Sequence, residues 1–193
     1  MRFVGIFVSL MALCVSALTF WLTQLQPAQV DIFVSPSIYL GKDNLSGREY
    51  LWNAVALSNA GATTAVVYDV TLTITRDDGA SKSFTAKYHM DDESGGGTFI
   101  IGKPFSPITI LGDHVDSQML AFYPTDQTDF GEIVSSPGTY RFDFVAAQLG
   151  RNPLSEPVAY YAVYKFTTDD IQKKKTDTSR GNLYLFGAAQ LAE

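Results

Sequence analysis

The segment from Phe3 to Leu22 constrains this chain most, because it holds twenty residues without a single charge. At about 1.5 Å rise per residue, a helix of this length spans roughly 30 Å, the hydrocarbon thickness of a bilayer. A helix also satisfies its own backbone polar groups in lipid. We therefore predict a transmembrane anchor over residues 1–23, with the lipid bilayer as a partner through residues 3–22. Anchor residues include Phe3, Ile6, Leu10 and Leu13.

The charges that flank this segment predict its orientation. Arg2 and the amino terminus precede it, and no charge follows it until Asp31. Because positive charge is retained on the cytoplasmic side, we expect a cytoplasmic N-terminus and a periplasmic or extracellular C-terminal domain.

Two other processing routes fit parts of the same segment. Val15-Ser16-Ala17 has the small residues of a signal-peptidase site, but cleavage there would leave an apolar new terminus. Cys14 suits a lipoprotein only poorly, because Leu13 precedes it where a small residue is expected. An uncleaved anchor is the favoured interpretation, and the cleaved signal peptide remains the alternative.

The rest of the chain divides into a linker over residues 24–29, one domain over 30–167 and a tail over 168–193. The domain is long enough to bury a core without covalent staples. Its stability must come from packing, because Cys14 is the only cysteine. A formal charge of −6 and a pI near 4.8 argue against nucleic acid as a partner.

Alternating hydrophobicity predicts several strands in the domain. The clearest is Ala65 to Thr75, in which the pattern places Tyr68 on the inward face with Val66, Val70, Leu72 and Ile74. In Ser83 to Met90, the same alternation places Tyr88 and Met90 on the inward face and His89 on the solvent face. Further strands are expected at 50–58, 139–146 and 158–167. With turn signals between the strands, the pattern predicts an all-β antiparallel sandwich of about seven to nine strands.

Two stretches resemble a known family of sandwiches. VALSNAGATTAVVYDVTLTI and SPGTYRFDF are similar to segments of the immunoglobulin-like and fibronectin type III-like domains of bacterial extracytoplasmic proteins, including the cell-adhesion-related modules. This resemblance implies an immunoglobulin-like fold, not an activity. It also makes Tyr140 a candidate for a tyrosine corner.

The tail contains a predicted helix and an apolar patch. Thr168-Asp169-Asp170 can cap a short helix, with Lys173, Lys174 and Lys175 in its last turn, in agreement with the helix dipole. The patch after this helix either returns to the domain or binds a partner. The candidate partner-binding residues are Leu183, Tyr184, Leu185 and Phe186.

One loop offers a candidate metal site. In Gly112-Asp113-His114-Val115-Asp116, an imidazole stands between two carboxylates, so the candidate ligands are Asp113, His114 and Asp116. The chain has neither a Gly-x-Ser-x-Gly elbow nor a phosphate-binding loop. We therefore expect no catalytic residues and no cofactor.

These features favour a non-catalytic module of a membrane or envelope assembly that binds a protein partner, and not an enzyme. A metal-binding or metal-assisted hydrolytic domain that uses the loop around His114 is one alternative. A carbohydrate-binding envelope module that uses exposed aromatic residues such as Tyr161 is another.

Overall fold

The computed structural model describes residues 2–42, 47–92, 99–126, 132–149, 157–179 and 184–186. It begins with helix α1 (Arg2–Phe20), which continues as a π-helical turn over Trp21–Leu25. The apolar stretch Phe3–Leu25 contains 18 consecutive residues with a mean hydropathy of 2.3, and none of these is buried against the rest of the chain. By length and composition it is able to cross a membrane, a property that anchors and signal sequences share.

The described residues after α1 contain eleven strands and one further helix, α2 (Thr168–Ser179). The strands are β1 (Val30–Val34), β2 (Ile38–Lys42), β3 (Glu49–Asn59), β4 (Ala65–Arg76), β5 (Ser81–Asp92), β6 (Phe99–Pro104), β7 (Ile108–Ile110), β8 (His114–Pro124), β9 (Gly138–Leu149), β10 (Val158–Phe166) and β11 (Tyr184–Phe186).

All of the strand pairings are antiparallel and follow the order β10-β9-β4-β5-β8-β3-β2-β11, with β1 on β3, β6 on β5 and β7 on β4. This hydrogen-bonded sheet folds over on itself. Phe122 of β8 meets Phe144 of β9 edge to face, with ring centroids 5.7 Å apart. In a flat sheet, strands three places apart would be separated by roughly 14 Å. The predicted all-β antiparallel sandwich is therefore confirmed.

The number of strands exceeds the expected seven to nine because several are short. Pro36 interrupts the first edge segment and divides it into β1 and β2. Three-residue strands β7 and β11 add to the edges of longer ones.

The core lies between the two halves of the folded sheet. It is filled by alternate residues of the long strands, such as Leu57 of β3, Leu72 of β4 and Phe142 of β9, which are fully buried. Near the start of β9, the Tyr140 hydroxyl donates to the Ser136 carbonyl oxygen at 2.9 Å. This bond is the tyrosine corner that the sequence resemblance implied.

A β-bulge in β4 changes the face on which two predicted core residues lie. The register of β4 against β9 shifts between Val67 and Asp69. Before the bulge, Ala65 and Val67 are buried and Val66 is only half-buried; Tyr68 is exposed. The prediction that Val66 and Tyr68 share the inward face of Val70 is wrong, because the bulge inserts one residue into the alternation.

A second bulge reverses the prediction for His89. Ala86 lies opposite Phe122 and Tyr88 opposite Ala121, so Lys87 is the extra residue in β5. Beyond it, His89 is on the inner side and only 5% exposed. Its ring stacks on Phe105, and its Nε2 accepts a hydrogen bond from the Ser106 amide at 3.3 Å. The expected solvent-facing histidine is thus a buried one.

Helix α2 is present as predicted, but its N-terminal cap is Thr167, one residue before the predicted Thr168. The Thr167 hydroxyl accepts from the Asp170 amide at 3.3 Å, and the Asp170 carboxylate accepts from the Thr167 amide at 2.8 Å. This reciprocal pair is a capping box.

The lysines of α2 do not occupy its last turn, because the helix extends to Ser179. Lys174 is completely buried, and its Nζ lies 2.9 Å from Glu49 Oε1 and 2.8 Å from the Val134 carbonyl oxygen. The prediction that the three lysines lie in the last turn of the helix and interact there with the helix dipole is therefore wrong. Lys174 instead attaches α2 to the start of β3.

Candidate functional site

The outer surface of one half of the sheet carries a continuous group of aromatic and apolar side chains. We call it the aromatic face. Its members come from β2, β3, β5 and β8 and are Tyr39, Tyr50, Trp52, Tyr88, Met90, Met119, Ala121 and Tyr123.

Strand register places these side chains in rows. Tyr39 lies opposite Trp52, Trp52 opposite Ala121, and Ala121 opposite Tyr88, so one row crosses four strands. Tyr39 and Trp52 are stacked, with ring centroids 4.0 Å apart and planes within 9°.

A second set of rings lies beside this row. Tyr50 stacks on Tyr123 at 5.2 Å, and Tyr88 meets Tyr123 edge to face at 5.5 Å. Such ring pairs stabilise a sheet beyond the area they bury, by about 0.5–1.5 kcal/mol each. The rings of the aromatic face therefore pack against one another.

The composition of this face differs from that of an ordinary solvated sheet. An antiparallel sheet with one side in water normally alternates apolar and polar residues. Here Trp52, Met90 and Ala121 are buried on the outer side, and the four tyrosines and Met119 remain half-buried. Tyr, Trp and Met are the residues enriched at the centres of protein interfaces.

Sequence reasoning missed this face for one identifiable reason. The alternation in β5 assigned Tyr88 and Met90 to the core, and the bulge at Lys87 moves both to the outer side. A signal was present in β3, where Tyr50, Leu51 and Trp52 are consecutive apolar residues and so place apolar side chains on both faces.

The predicted metal ligands are near one another in the chain, and the side chains of two of them have protein partners. Asp113 occupies a left-handed turn (φ 57°), and its amide donates to the Gly61 carbonyl oxygen. His114 Nδ1 lies 2.7 Å from the Gly112 carbonyl oxygen, and both Asp116 carboxylate oxygens accept from Gln118 Nε2 at 3.1 Å. Within the described residues, no three His, Cys, Asp or Glu side chains are arranged to hold a metal ion.

The candidate partner-binding tail lies at the edge of the sheet. Leu183 is outside the described residues. Tyr184, Leu185 and Phe186 form β11 and pair with Leu40, Tyr39 and Ile38 of β2, so the backbone returns to the domain at the border of the aromatic face.

Tyr161, the candidate sugar-binding residue, lies on the outer side of the other half of the sheet. It is opposite Asp143 and carries the Arg141 guanidinium over its ring, 4.5 Å from the centroid. The solvent side of this ring is therefore partly covered by a cation.

No protein-family model matches the chain, and no curated protein matches it by sequence. Similar solved structures include a Bordetella pertussis protein described as ApaA, at 12% identity and a TM-score of 0.44, covering 74% of this chain and 98% of that one. Spo0M, a sporulation control protein from Bacillus subtilis, matches at 10% identity and a TM-score of 0.35, and the match covers 81% of this chain and 56% of Spo0M. The CARDB domain of a Pyrococcus furiosus protein, in complex with di-metal ions, matches at 13% identity and a TM-score of 0.29, and the match covers 72% of this chain and 90% of that one. No function is transferred from structures this distant.

Proposed function

We propose that this protein is a non-catalytic binding module that α1 anchors in a membrane and that docks a protein partner on the aromatic face. The orientation we propose places the N-terminus in the cytoplasm and the sandwich on the opposite side, following the charge asymmetry around α1. The observation that carries the proposal is the aromatic face itself, on the outer side of a sheet whose other side already fills the core.

The physical state of these rings suits protein recognition. Stacked tyrosines present large contact area and lose little conformational entropy on binding, because their neighbours already hold them in place. Their hydroxyl groups add hydrogen-bonding capacity at the rim of an apolar patch. An aromatic patch of this kind supports binding of a protein surface.

The ring geometry favours a protein over a sugar as ligand. A sugar stacks on the open face of an aromatic ring, and each ring of the pairs Tyr39–Trp52 and Tyr50–Tyr123 already has one face covered by its partner. Stacking therefore reduces the ring area available to a sugar, while ring edges and hydroxyls complement backbone and apolar groups of a protein.

The proposal is tested by recovery of a partner from native membranes. The full-length protein is crosslinked in the membrane, purified in mild detergent and quantified with its co-purifying proteins by mass spectrometry. A variant with Tyr50→Ser and Tyr123→Ser removes one stacked ring pair of the aromatic face. Tyr161→Ser is the matched control, because it removes an exposed tyrosine from the other half of the sheet.

The expected result is a stoichiometric membrane or envelope protein that is recovered with the natural chain and with Tyr161→Ser, and lost with the double variant. Thermal unfolding of each variant checks that the sandwich remains folded. Equal recovery of this protein with the double variant would exclude the aromatic face as its binding site.

A further inference from the structure

The linker between α1 and the sandwich is bonded into the domain. The Ala62 and Thr63 amides both donate to the Gln26 carbonyl oxygen at 3.1 Å, and the Ala60 amide donates to the Gln29 carbonyl oxygen at 2.9 Å. Gly61 packs against Pro27 so closely that a Cβ at this position would overlap the Pro27 carbonyl. The linker and the β3–β4 loop are therefore one packed unit.

Asn59, at the end of β3, organises this unit. Its side-chain oxygen accepts from the Gln29 and Gly61 amides, both at 3.0 Å. Its amide nitrogen donates to the Thr63 carbonyl oxygen at 2.8 Å and reaches the Ile110 carbonyl oxygen at 3.3 Å. One buried carboxamide thus joins the linker, the β3–β4 loop and β7.

The β7–β8 loop completes the same end of the sandwich. The Asp113 amide donates to the Gly61 carbonyl oxygen at 3.0 Å, and Gly112 packs directly on Ala62. We call this region the anchored end; it consists of residues 26–29, 60–64 and 111–113 with the strand residues beside them. Since Gln26 follows the last helical residue, Leu25, these loops lie where α1 leaves the sandwich.

Exposed apolar side chains gather at this end. Leu111 is 55% exposed in the β7–β8 loop, Val115 is 68% exposed as the second residue of β8, and Leu149 is 66% exposed at the end of β9, opposite Val66. By contrast, the described β4–β5 turn at the opposite end consists of Asp77, Asp78, Gly79 and Ala80 and exposes no large apolar group. Large exposed apolar side chains at one end of a domain can form an interaction surface.

We propose that the anchored end is a membrane-contacting surface, in which Leu111, Val115 and Leu149 lie in the headgroup region of the bilayer that α1 spans. This inference rests on the proposed anchoring. The reason is that the hydrogen-bonded linker connects α1 directly to the anchored end, and so holds these side chains beside the point where the apolar helix leaves the sandwich. The charged and titratable groups in the β7–β8 loop and at the start of β8 are Asp113, His114 and Asp116, and Asp31 lies opposite Ser58, the residue that pairs with Val115. With no cationic group among them, the contact depends on apolar burial and not on attraction to anionic lipids.

The test uses the full-length protein in phosphatidylcholine nanodiscs, with spin labels on single cysteines. Cys14 is the only native cysteine and lies in α1, so labelling the natural chain reports on the helix. In a Cys14→Ser background, Leu111→Cys and Leu149→Cys place labels at the anchored end. Ala80→Cys is the control in the exposed β4–β5 turn.

The expected result is that labels at 111 and 149 collide more with lipid-soluble oxygen, and several-fold less with a water-soluble nickel complex, than the label at 80. If the labels at 111 and 149 are as accessible to the nickel complex as the label at 80, the inference is overturned. Labels shielded from both reagents would also overturn it, because they would point to a protein contact.

The two proposals fail in different ways. If the Cys14 label is in lipid while 111 and 149 are aqueous, the anchor stands and the contact surface does not. If the Cys14 label is aqueous in the uncleaved chain, the anchoring is wrong and the contact surface is overturned with it.

Discussion

At the scale of single residues, Lys174 shows how one side chain fixes the position of a helix. Its ammonium group is fully buried against the Glu49 carboxylate, which also accepts from the Ile133 amide at 2.7 Å. Glu132 contributes a second carboxylate 3.6 Å from Lys174 Nζ. A buried charge is tolerated only with partners of this kind, so each member depends on the others.

Replacing Lys174 with methionine should lower the free energy of unfolding by about 3–5 kcal/mol, because the Glu49 carboxylate then stays buried without its cation. Urea denaturation monitored by tryptophan fluorescence gives this value. Lys173→Met is the matched control, since Lys173 is exposed on the same helix. The double variant Glu49→Leu with Lys174→Met should recover much of the loss, and a single variant as stable as the natural protein would contradict this account.

Asn59 is the second residue on which a whole region depends. Asn59→Ala leaves several buried backbone groups of the linker and loops without their partner, which should lower the free energy of unfolding by about 2 kcal/mol or more. Hydrogen exchange at the Gln29 and Gly61 amides should become faster than in the natural protein. Asn59→Asp retains the acceptor for both amides and should protect them better than alanine does. Unchanged exchange in Asn59→Ala would show that the linker is held by other contacts.

At the scale of elements, the sequence located the long strands but not their faces. Expected strands at 50–58, 139–146 and 158–167 correspond to β3, β9 and β10. In β4 and β5, a period of two was assumed to continue through Tyr68 and Lys87, where single-residue bulges interrupt it. A bulge cannot be recognised in the hydrophobic pattern of a strand that has apolar residues on both faces. The aromatic face was therefore not predictable from alternation.

The contact between Lys174 and Glu49 was unpredictable for a different reason. These residues are separated by 125 positions in the chain. The lysine run fitted a local explanation through the helix dipole, and nothing in a single sequence shows which charge meets a distant partner once the chain is folded. In contrast, the resemblance to immunoglobulin-like domains made Tyr140 a candidate for a tyrosine corner, and its hydrogen bond spans only four residues.

Strand β10 is joined to the β1–β2 connection by Tyr164, whose hydroxyl donates to the Pro36 carbonyl oxygen at 3.1 Å. Burial raises the pKa of Tyr164 well above its ordinary value, with a smaller contribution from Tyr160. The folded state therefore holds this proton at pH values where the unfolded chain, with a pKa of about 10, releases it.

This linkage predicts an alkaline loss of stability. The contribution of Tyr164 is complete below about pH 10 and declines as the pH rises above that value. Tyr164→Phe cannot ionise, so its free energy of unfolding should fall less steeply between about pH 9 and 11. Urea midpoints of the two proteins over this range measure the difference. Parallel pH profiles would contradict the assignment.

At the scale of the whole molecule, the sandwich presents two distinct surfaces. The anchored end, with its bonded linker, places Leu111 and Leu149 beside the exit of α1. The aromatic face lies on the outer side of β2, β3, β5 and β8, and the proposed arrangement assigns it to a protein partner and the anchored end to lipid. This division supports a module whose position is fixed by the membrane and whose recognition is lateral.

The most direct test of this account is photocrosslinking of the full-length protein in its native membrane. p-Benzoylphenylalanine replaces Tyr123 of the aromatic face, or Tyr161 on the other half of the sheet as control. The account predicts a discrete light-dependent adduct with one protein at position 123 and none at position 161. No adduct at position 123, or the same adducts from both positions, would contradict the claim that the aromatic face is the binding site.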